Sequence, residues 1–554
     1  MPHIQQGFHH ICRHGSIGDI ETRASQHSDV KTLAHILDLH GEYVPASELY
    51  QWILTEEEKS LGKDHPDTLT TVHYMANVFL SRGKYNEALE LYLRATIGRE
   101  RFLGKDHPDT LITVQGAANA FRSQARYYEA LEWYRRALAG QEKSQGKDHP
   151  ETLSSVHSIA NVFQIQGKYD EALEWYRRAL TGKEKSLGKN HPATLATVHC
   201  MAIVFQEQGK HDEALKWYRR ALSGREKFLG KEHPGTLATV HSIARVFQKQ
   251  GRYDEALEWY RKALAGGEKS LGKSHPNTLT TVHYMASVFQ NQGKYDKALE
   301  WYRRALSGTE ESRGKNHPNT LFTVHGMANV FRSQGRYGEA LEWYRRALSG
   351  REKSLGKDHP DTLFTVHGMA NVFQSQGRYD EALEWYRRAL SGREKSMGKE
   401  HPDTLSTVHY MATVLGRQGK CDEALEWYRR ALAGKEKSLG EDHPDMLLTV
   451  CGMANVFQSQ GKYNEALKWY RRALTGQERS LGKDHPDTLL TVYGMAAVFR
   501  KQRKDDEAME WYRRALAGQE KSLGKGHPDT LATSRSIAEM LYNQGLESLE
   551  RVLP

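Results

Sequence analysis

Residues 149–190 read HPETLSSVHSIANVFQIQGKYDEALEWYRRALTGKEKSLGKN, and this stretch decides the fold. In its first half, apolar residues recur every three or four positions, which predicts one apolar face of a helix. Pro150 suits the first helical position and Gly167 suits a helix end. The residues of the apolar face are Leu153, Val156, Ala160 and Phe163.

The second half of the same stretch predicts a second amphipathic helix. Its apolar face consists of Ala172, Tyr176, Ala179 and Leu180. Glu174 precedes Arg178 by four residues, a spacing that favours an exposed ion pair on a helix. The two helices, joined by the short QGKY turn, form a hairpin. One hairpin cannot bury its apolar face alone, whereas stacked hairpins can.

A His-Pro dipeptide recurs every 42 residues along the chain without an insertion or deletion. Such a period is typical of a repeat architecture and takes precedence over other fold arguments. We predict that each of these histidines caps or packs the start of a helix. They are His65, His107, His149, His191, His233, His275, His317, His359, His401, His443, His485 and His527.

Small alanines are the packing signature of the repeat. Ala160 in the first helix and Ala172 and Ala179 in the second recur in every full copy and allow close helix approach. This pattern resembles the tetratricopeptide repeat. The 42-residue period and the LGKDHPDTL connection resemble the repeats of kinesin light chains, and the chain is also similar to the near-identical arrays of fungal nucleotide-binding STAND receptors. The resemblance covers residues from about 26 to the end.

The resemblance implies an all-α, right-handed solenoid of about 13 stacked helical hairpins, the last of them incomplete. Its first helix in each repeat, helix A, would line the concave side. We predict a flexible tail over residues 1–25 and a degenerate capping repeat over 26–64. Eleven near-identical repeats follow over 65–526, and an incomplete capping repeat occupies 527–554. In that last repeat, helix A near 528–543 would be followed only by a short stub, LESLERVL.

Composition excludes several classes of protein. Mean hydropathy is −0.72, and no run of 18 apolar residues or signal-peptide core occurs, so we predict a cytoplasmic protein without a membrane span. The four cysteines have no metal-ligand or disulfide-framework spacing. The net charge of +9 is spread over mixed charges, which makes nucleic acid an unlikely partner. RNA binding through the repeated EWYRRAL segment stays a minor alternative.

Residues 266–275, GGEKSLGKSH, match a Walker A phosphate loop from Gly267 onward. A helical segment, EALEWYRKALAG, precedes the match where a phosphate loop requires a strand. We therefore predict no ATP site, no other cofactor and no catalytic residue. We also predict no metal site, because neighbouring His-Pro rings lie one repeat apart and because the cluster of His9, His10, Cys12 and His14 belongs to the tail.

The copies differ mainly along one stripe of helix A. The spacing of positions 70, 74, 77 and 81 follows one helix face, opposite the packing residues. The first position runs through Thr70, Ile112, Ser154 and Phe322, and the fourth through Ser81, Ile165, Glu207, Lys249 and Arg417. The resemblance places this stripe on the concave ligand surface. Neutral drift of exposed residues is the alternative explanation, although exposed helix B positions such as Glu171 and Arg177 hardly vary.

A column of histidines runs beside the stripe, one in each consecutive repeat from His157 to His409. We expect neutral imidazoles to hydrogen-bond a ligand, and we expect protonation below about pH 6.5 to make the groove cationic. Together with the stripe, the histidines give the predicted ligand-binding set. It consists of Tyr74, Asn77, Asn119, His157, Asn161, His199, His241, Arg245, His283, Tyr284, His325, Asn329, His367, Asn371, His409, Tyr410 and Asn455.

These features favour a non-enzymatic array that binds a protein or an extended peptide along the helix A groove. One hypothesis is the recognition region of an intracellular receptor whose nucleotide-binding switch domain lies upstream or on another chain. The second is a scaffold or a cargo adaptor like a kinesin light chain, which needs a coiled coil that residues 1–60 do not contain. A third possibility is a stand-alone product whose upstream domains were lost from the gene. The chain also lacks the lysine pattern of a carboxylate clamp, which argues against a chaperone-type C-terminal ligand.

Overall fold

The computed structural model describes residues 27–39 and 42–550, and these residues contain 25 α-helices and no strand. The predicted all-α repeat fold is confirmed. The predicted tail over 1–25 lies outside the described residues. The A helices are α1 (His27–Leu39), α3 (Pro66–Ser81), α5 (Pro108–Ser123), α7 (Pro150–Ile165), α9 (Pro192–Glu207), α11 (Pro234–Lys249), α13 (Pro276–Asn291), α15 (Pro318–Ser333), α17 (Pro360–Ser375), α19 (Pro402–Arg417), α21 (Pro444–Ser459), α23 (Pro486–Lys501) and α25 (Pro528–Glu550). The B helices are α2 (Tyr43–Ser60), α4 (Tyr85–Phe102), α6 (Tyr127–Ser144), α8 (Tyr169–Ser186), α10 (His211–Leu229), α12 (Tyr253–Ser270), α14 (Tyr295–Arg313), α16 (Tyr337–Leu355), α18 (Tyr379–Ser396), α20 (Cys421–Leu439), α22 (Tyr463–Ser480) and α24 (Asp505–Ser522).

The chain divides into two compact units, residues 1–121 and residues 122–554. In the described part of unit 1, α1 to α4 pack as two hairpins, with Val30, Ala34, Tyr50 and Val72 in one core. Unit 2 begins near the end of α5 and contains α6 to α25. The helix α25 continues to Glu550, beyond the end near 543 that the sequence predicts.

Each helix A starts and ends through the residues that the sequence singles out. The backbone N–H of Glu151 donates to Nδ1 of His149 over 3.3 Å, and Pro150 takes the first helical position. The histidine therefore caps the helix N-terminus, as predicted. At the other end, Gly167 has φ of +70° and the Lys168 N–H donates to the Phe163 carbonyl over 2.9 Å. This left-handed turn reverses the chain into helix B.

Close helix packing explains the small residues inside each repeat. Ala160, Ala172 and Ala179 are fully buried, and Tyr176 fills the space between them with no exposed surface. A side chain at Gly182 would lie 2.5 Å from a methyl group of Leu153, so helix B touches helix A directly there. Each fully buried leucine, phenylalanine or valine side chain stabilises the array by roughly 1.5–3 kcal/mol relative to exposure.

Long side chains connect successive B helices on the opposite side of the repeat. Arg178 of α8 pairs with Glu142 of α6, and this inter-repeat ion pair replaces the pair with Glu174 that the sequence predicts. Trp175 lies between Phe163 and the Arg178 guanidinium, which is 5.6 Å from its ring centroid. The tryptophan of EWYRRAL thus packs against its own repeat.

The A helices lie on the inner side of unit 2. Successive A helices contact each other directly, and in the described residues no two B helices approach as closely along their backbones. Successive B helices are instead spanned by long ion pairs, such as Arg220–Glu184 and Arg388–Glu352. A stack whose A helices lie closer together than its B helices must curve toward the A side.

Unit 2 curves so tightly that one superhelical turn contacts the next. Nε2–H of His401 donates to the Ile165 carbonyl over 2.9 Å, although these residues are 236 positions apart in the chain. The same step brings the His443 ring to the Glu207 carbonyl at 3.0 Å. Since Nδ1 of each ring already accepts the capping N–H, both rings are neutral Nε2–H tautomers. We call these contacts the inter-turn seam, and they comprise His359–Ser123, His401–Ile165, His443–Glu207 and His485–Lys249.

Candidate recognition surface

In unit 2 the first position of the variable stripe carries most of the exposed apolar side chains of the stripe. Four large apolar side chains occupy it in unit 2, and each keeps about two-fifths of its surface exposed. Exposed apolar side chains in register along one face are unusual in a protein without a partner. They are Phe322 at 36%, Phe364 at 41%, Leu448 at 40% and Leu490 at 46% exposed.

The second position of the stripe carries either a tyrosine or a small residue, and this residue packs against a tyrosine of the preceding repeat. Tyr284 stacks against Tyr260 of the preceding repeat at a centroid distance of 6.4 Å, and Tyr410 stacks against Tyr386 at 6.2 Å. At Gly326, in contrast, a Cβ atom would lie only 2.7 Å from the ring of Tyr302. Tyr284 and Tyr410 are half-buried, and Tyr74 in unit 1 is exposed.

The asparagines at the third position serve the repeat itself. The Tyr386 hydroxyl donates to Oδ1 of Asn371, so the asparagine links helix A to the helix B that follows it. This bond occupies the carbonyl side of the amide and leaves its NH₂ group for another partner. The same bond is made to Asn77, Asn161, Asn329 and Asn455. Asn119 holds the equivalent place in α5 and is half-buried.

Arg245 takes the place of asparagine in α11. Its guanidinium lies 5.3 Å from the centroid of the Tyr284 ring and 3.9 Å from the Glu207 carboxylate. The Arg245 side chain therefore reaches along the stripe into the neighbouring repeats rather than into helix B.

The histidine column lies between successive A helices. Nδ1 of His283 is 3.3 Å from the Thr323 hydroxyl of the next repeat, and its ring stacks on Phe322 at 4.3 Å. His325 stacks on Phe364 in the same way. The rings therefore support the exposed phenylalanines from below. His283, His325, His367 and His409 are buried, and His157, His199 and His241 are half-buried.

Burial keeps the histidine column neutral. Desolvation lowers the pKa of His157, His199, His241 and His283 to about 3. It also lowers the pKa of His325, His367 and His409 well below the ordinary value. The prediction that the groove becomes cationic below about pH 6.5 is therefore wrong, because charging a ring between packed helices costs its solvation.

The fourth position of the stripe belongs to the seam. Backbone carbonyls of Ile165, Glu207 and Lys249 accept the inter-turn hydrogen bonds. In this part of unit 2, variation at the fourth position therefore changes the edge between two superhelical turns rather than the open groove.

The sequence pattern does not reveal a second set of functional candidates. In most repeats one position of helix B carries a buried polar side chain that bonds to the next helix A, and we call the residue at this position the slot residue. The Arg351 guanidinium donates to the Asp361 carbonyl over 2.7 Å and to the Thr365 hydroxyl over 2.6 Å. Because arginine and lysine are usually exposed, the sequence gives no sign that these side chains are buried. The slot residues of unit 2 are Gln141, Lys183, Arg225, Gly267, Thr309, Arg351, Arg393, Lys435, Gln477 and Gln519.

The Walker-like segment is not a phosphate loop. Gly267 lies inside α12, and Gly272 forms the turn after the helix with φ of +97°. Residues 27–39 and 42–550 contain no group of three or more possible metal ligands among histidine, cysteine and acidic side chains. In the same residues, no helix combines the length and apolarity that a membrane crossing requires.

Comparison with known proteins identifies the repeat. The tetratricopeptide repeat family model matches ten overlapping segments, over residues 67–143, 110–185, 151–227, 193–269, 237–311, 277–353, 321–395, 361–437, 402–479 and 442–521. The chain belongs to the tetratricopeptide repeat family. This assignment confirms the resemblance to the tetratricopeptide repeat. No curated protein matches the chain.

Several solved structures are similar to parts of this tetratricopeptide array. The nearly identical TPR-like repeats assigned to a kinesin light chain of Podosopora anserina are 30% identical, cover 37% of this chain and 98% of that chain, and give a TM-score of 0.32. BtubC (BKLC) from P. vanneervenii is 19% identical, covers 42% of this chain and 92% of that chain, and gives a TM-score of 0.34. A Rap protein complexed with competence and sporulation factor is 14% identical, covers 67% of this chain and 99% of that chain, and gives a TM-score of 0.48.

Proposed function

We propose that this tetratricopeptide array is a non-catalytic, cytoplasmic binding protein that holds an extended peptide segment of a partner along the helix A groove of unit 2. One observation carries the proposal: the four exposed apolar side chains at the first stripe position, with Phe322 and Phe364 in adjacent repeats. Burying such side chains against a partner would stabilise the complex by roughly 25 cal/mol per Å² of apolar area removed from water.

The polar groups beside these side chains suit a peptide backbone. The NH₂ groups of Asn329 and Asn371 remain as donors, because only the carbonyl side of each amide is held by tyrosine. A series of such contacts at a fixed repeat spacing favours an extended ligand, since each contact raises the effective concentration of the next. The buried histidines and the seam carbonyls would not contact the ligand and would instead hold the A helices that form the recognition surface in place.

The test uses peptides selected by the full chain from a random peptide display library. The double variant F322S/F364S removes two exposed rings and leaves the asparagines and the histidine column in place. We expect it to weaken binding of the selected peptides at least about tenfold, measured by fluorescence polarisation, because hot-spot aromatics contribute more than 1.4 kcal/mol.

The matched control is F228S, which makes the same chemical change at the end of the B helix α10, where Phe228 is 59% exposed. Circular dichroism checks that all variants keep their helicity. Equal affinity of the wild-type chain and F322S/F364S for every selected peptide would contradict a groove site. A loss of affinity in F228S alone would indicate that the peptides bind to the B helices instead.

As to the biological setting, we propose the recognition region of an intracellular receptor that works with a nucleotide-binding switch domain. A nucleotide-binding domain encoded upstream or next to this chain would support the receptor. Co-purification with a kinesin motor subunit would instead support the adaptor.

A further inference from the structure

Four cationic slot residues of unit 2, Arg225, Arg351, Arg393 and Lys435, share one binding geometry. In the Arg393 repeat, the guanidinium donates to the Asp403 carbonyl and to the Thr407 hydroxyl, both at 2.7 Å. Lys435 makes the equivalent bonds to Asp445 and Thr449 at 3.0 and 3.1 Å. In these four repeats a carbonyl and a hydroxyl oxygen of the next helix A therefore accept hydrogen bonds from one cationic donor group.

One repeat lacks the side chain that fills this slot. Gly267 stands in α12 where other copies carry arginine, lysine, glutamine or threonine. A cavity of about 170 Å³ lies at this point, between α11, α12 and α13. In the preceding repeat the Arg225 side chain occupies the corresponding place.

The hydrogen-bond acceptors of the slot remain in place around this cavity. Asn277 and Thr281 line it and correspond to Asp361 and Thr365, which bind Arg351. The hydroxyl of Thr278, a residue only 2% exposed, has no hydrogen-bond partner.

The Thr278 hydroxyl also points at the vacant position. A Cβ atom at residue 267 would lie 3.1 Å from it. In the Arg351 repeat the corresponding hydroxyl, of Thr362, turns away and donates to the Gly356 carbonyl over 2.8 Å. An unpartnered buried hydroxyl is costly, so a ligand that pairs with it gains stability.

Two residues that line the cavity also belong to the recognition surface. Ala238 and Thr280 occupy the first stripe position in α11 and α13, where four other copies of unit 2 carry phenylalanine or leucine. Ala238 is exposed and Thr280 is half-buried. A side chain projecting from a ligand in the groove can therefore enter the slot between them.

We infer that the Gly267 slot binds the guanidinium of an arginine side chain on the partner, in the place that the chain's own arginine fills elsewhere. This inference rests on the proposed function for its source of arginine. A carboxylate is not required, since Arg225 fills its slot beside Gly235, and Lys183 does so beside Ala193.

Nearby cations are compatible with this ligand. The Arg225 guanidinium is held in its own slot by the Gly235 carbonyl and the Thr239 hydroxyl. Arg245 is directed at Glu207 and Tyr284. Arg351, Arg393 and Lys435 occupy slots in three consecutive repeats, so the array tolerates a cation in adjacent slots.

The test measures binding of n-propylguanidinium, the isolated end of an arginine side chain, to the full chain by isothermal titration calorimetry. We expect one bound equivalent for the wild-type chain. G267R, which fills the slot from within, should weaken binding at least about tenfold. R351G, which empties a second slot, should bind two equivalents.

T281V is the second variant that keeps the test decisive if G267R folds poorly. It retains the cavity and removes one acceptor, and we expect at least about a tenfold loss, because a hydrogen bond to a charged group contributes 1.5–3 kcal/mol. No binding to the folded wild-type chain, or unchanged binding to folded G267R, would overturn the inference. Since the probe is not a peptide, failure of the groove proposal would leave this result unaffected.

Discussion

Histidine has two separate roles at the scale of the single residue. The His-Pro rings cap helices through Nδ1, and in the second superhelical turn they also donate to a carbonyl of the turn before. The histidine column has no capping role and packs between A helices beside a threonine hydroxyl, as His241 does with Thr281. The capping role requires a neutral ring, since a proton on Nδ1 would remove the acceptor, and burial keeps the rings of the histidine column neutral.

This requirement predicts that acid destabilises the array. The pKa of His241 and its neighbours is about 3 in the folded chain and about 6.5 when unfolded. Above about pH 6.5 neither state takes up a proton, and between about 6.5 and 3 only the unfolded state does, so stability falls as the pH falls through this window. Each such ring should lower the free energy of unfolding by on the order of 1 kcal/mol by pH 5.5.

The measurement is the urea midpoint of unfolding at about pH 7.5 and about pH 5.5. H241Q replaces one ring by an amide that does not titrate. We expect H241Q to be less stable than the wild-type chain at the higher pH. We also expect its free energy of unfolding to fall less than that of the wild-type chain on acidification. An equal loss for the two proteins would show that His241 is not held neutral by the fold.

At the scale of the helix, glycine marks the positions where two elements touch. Within α16, Gly350 faces Leu321, and a Cβ atom there would lie 2.8 Å from both leucine methyl carbons. Gly338, near the start of the same helix, has nothing within 4 Å of the corresponding position. The sequence distinguishes them only by recurrence, since glycine stands at the place of Gly350 in every full copy and at the place of Gly338 in this copy alone.

Alanine at these two positions should therefore have opposite effects. We expect G350A to lower the melting temperature, since forcing Leu321 to move in a packed core costs typically 1–3 kcal/mol. G338A should raise it, by up to about 1 kcal/mol in stability, because alanine restricts the unfolded chain and favours the helix. Differential scanning calorimetry of the two single variants compares them directly. A stabilising G350A would mean that helix B has room to move away from helix A.

At the scale of the whole molecule, the inter-turn seam of unit 2 joins residues that are 236 positions apart. The separation amounts to between five and six repeats, so a shorter array of the same repeats could not make these contacts. Neutral hydrogen bonds contribute about 0.5–1.5 kcal/mol each, and here they act in parallel along one edge.

The seam predicts a difference between chemically identical variants. Asparagine keeps the N-cap but is too short to reach the previous turn. H401N/H443N/H485N should therefore keep full helicity and show a larger radius of gyration by small-angle X-ray scattering. H149N/H191N/H233N, which alters three caps without a seam hydrogen bond in the described residues, should match the wild-type chain. Equal profiles for both triple variants would show that the seam does not limit the curvature in solution.

The sequence by itself determined the repeat, its two helices, their caps and their packing residues. Leu153, Ala160 and Tyr176 could be assigned because helix periodicity and capping depend on neighbours within one repeat. Only the tertiary structure decided where the stripe is exposed, which carboxylate pairs with Arg178, and that the histidine column stays neutral. It alone brought His401 to Ile165 and placed Arg351 in a buried slot. It alone also showed that the corresponding slot of another repeat is open at Gly267. Those features depend on the distance and burial between repeats, and a pattern repeated every 42 residues carries no information about either.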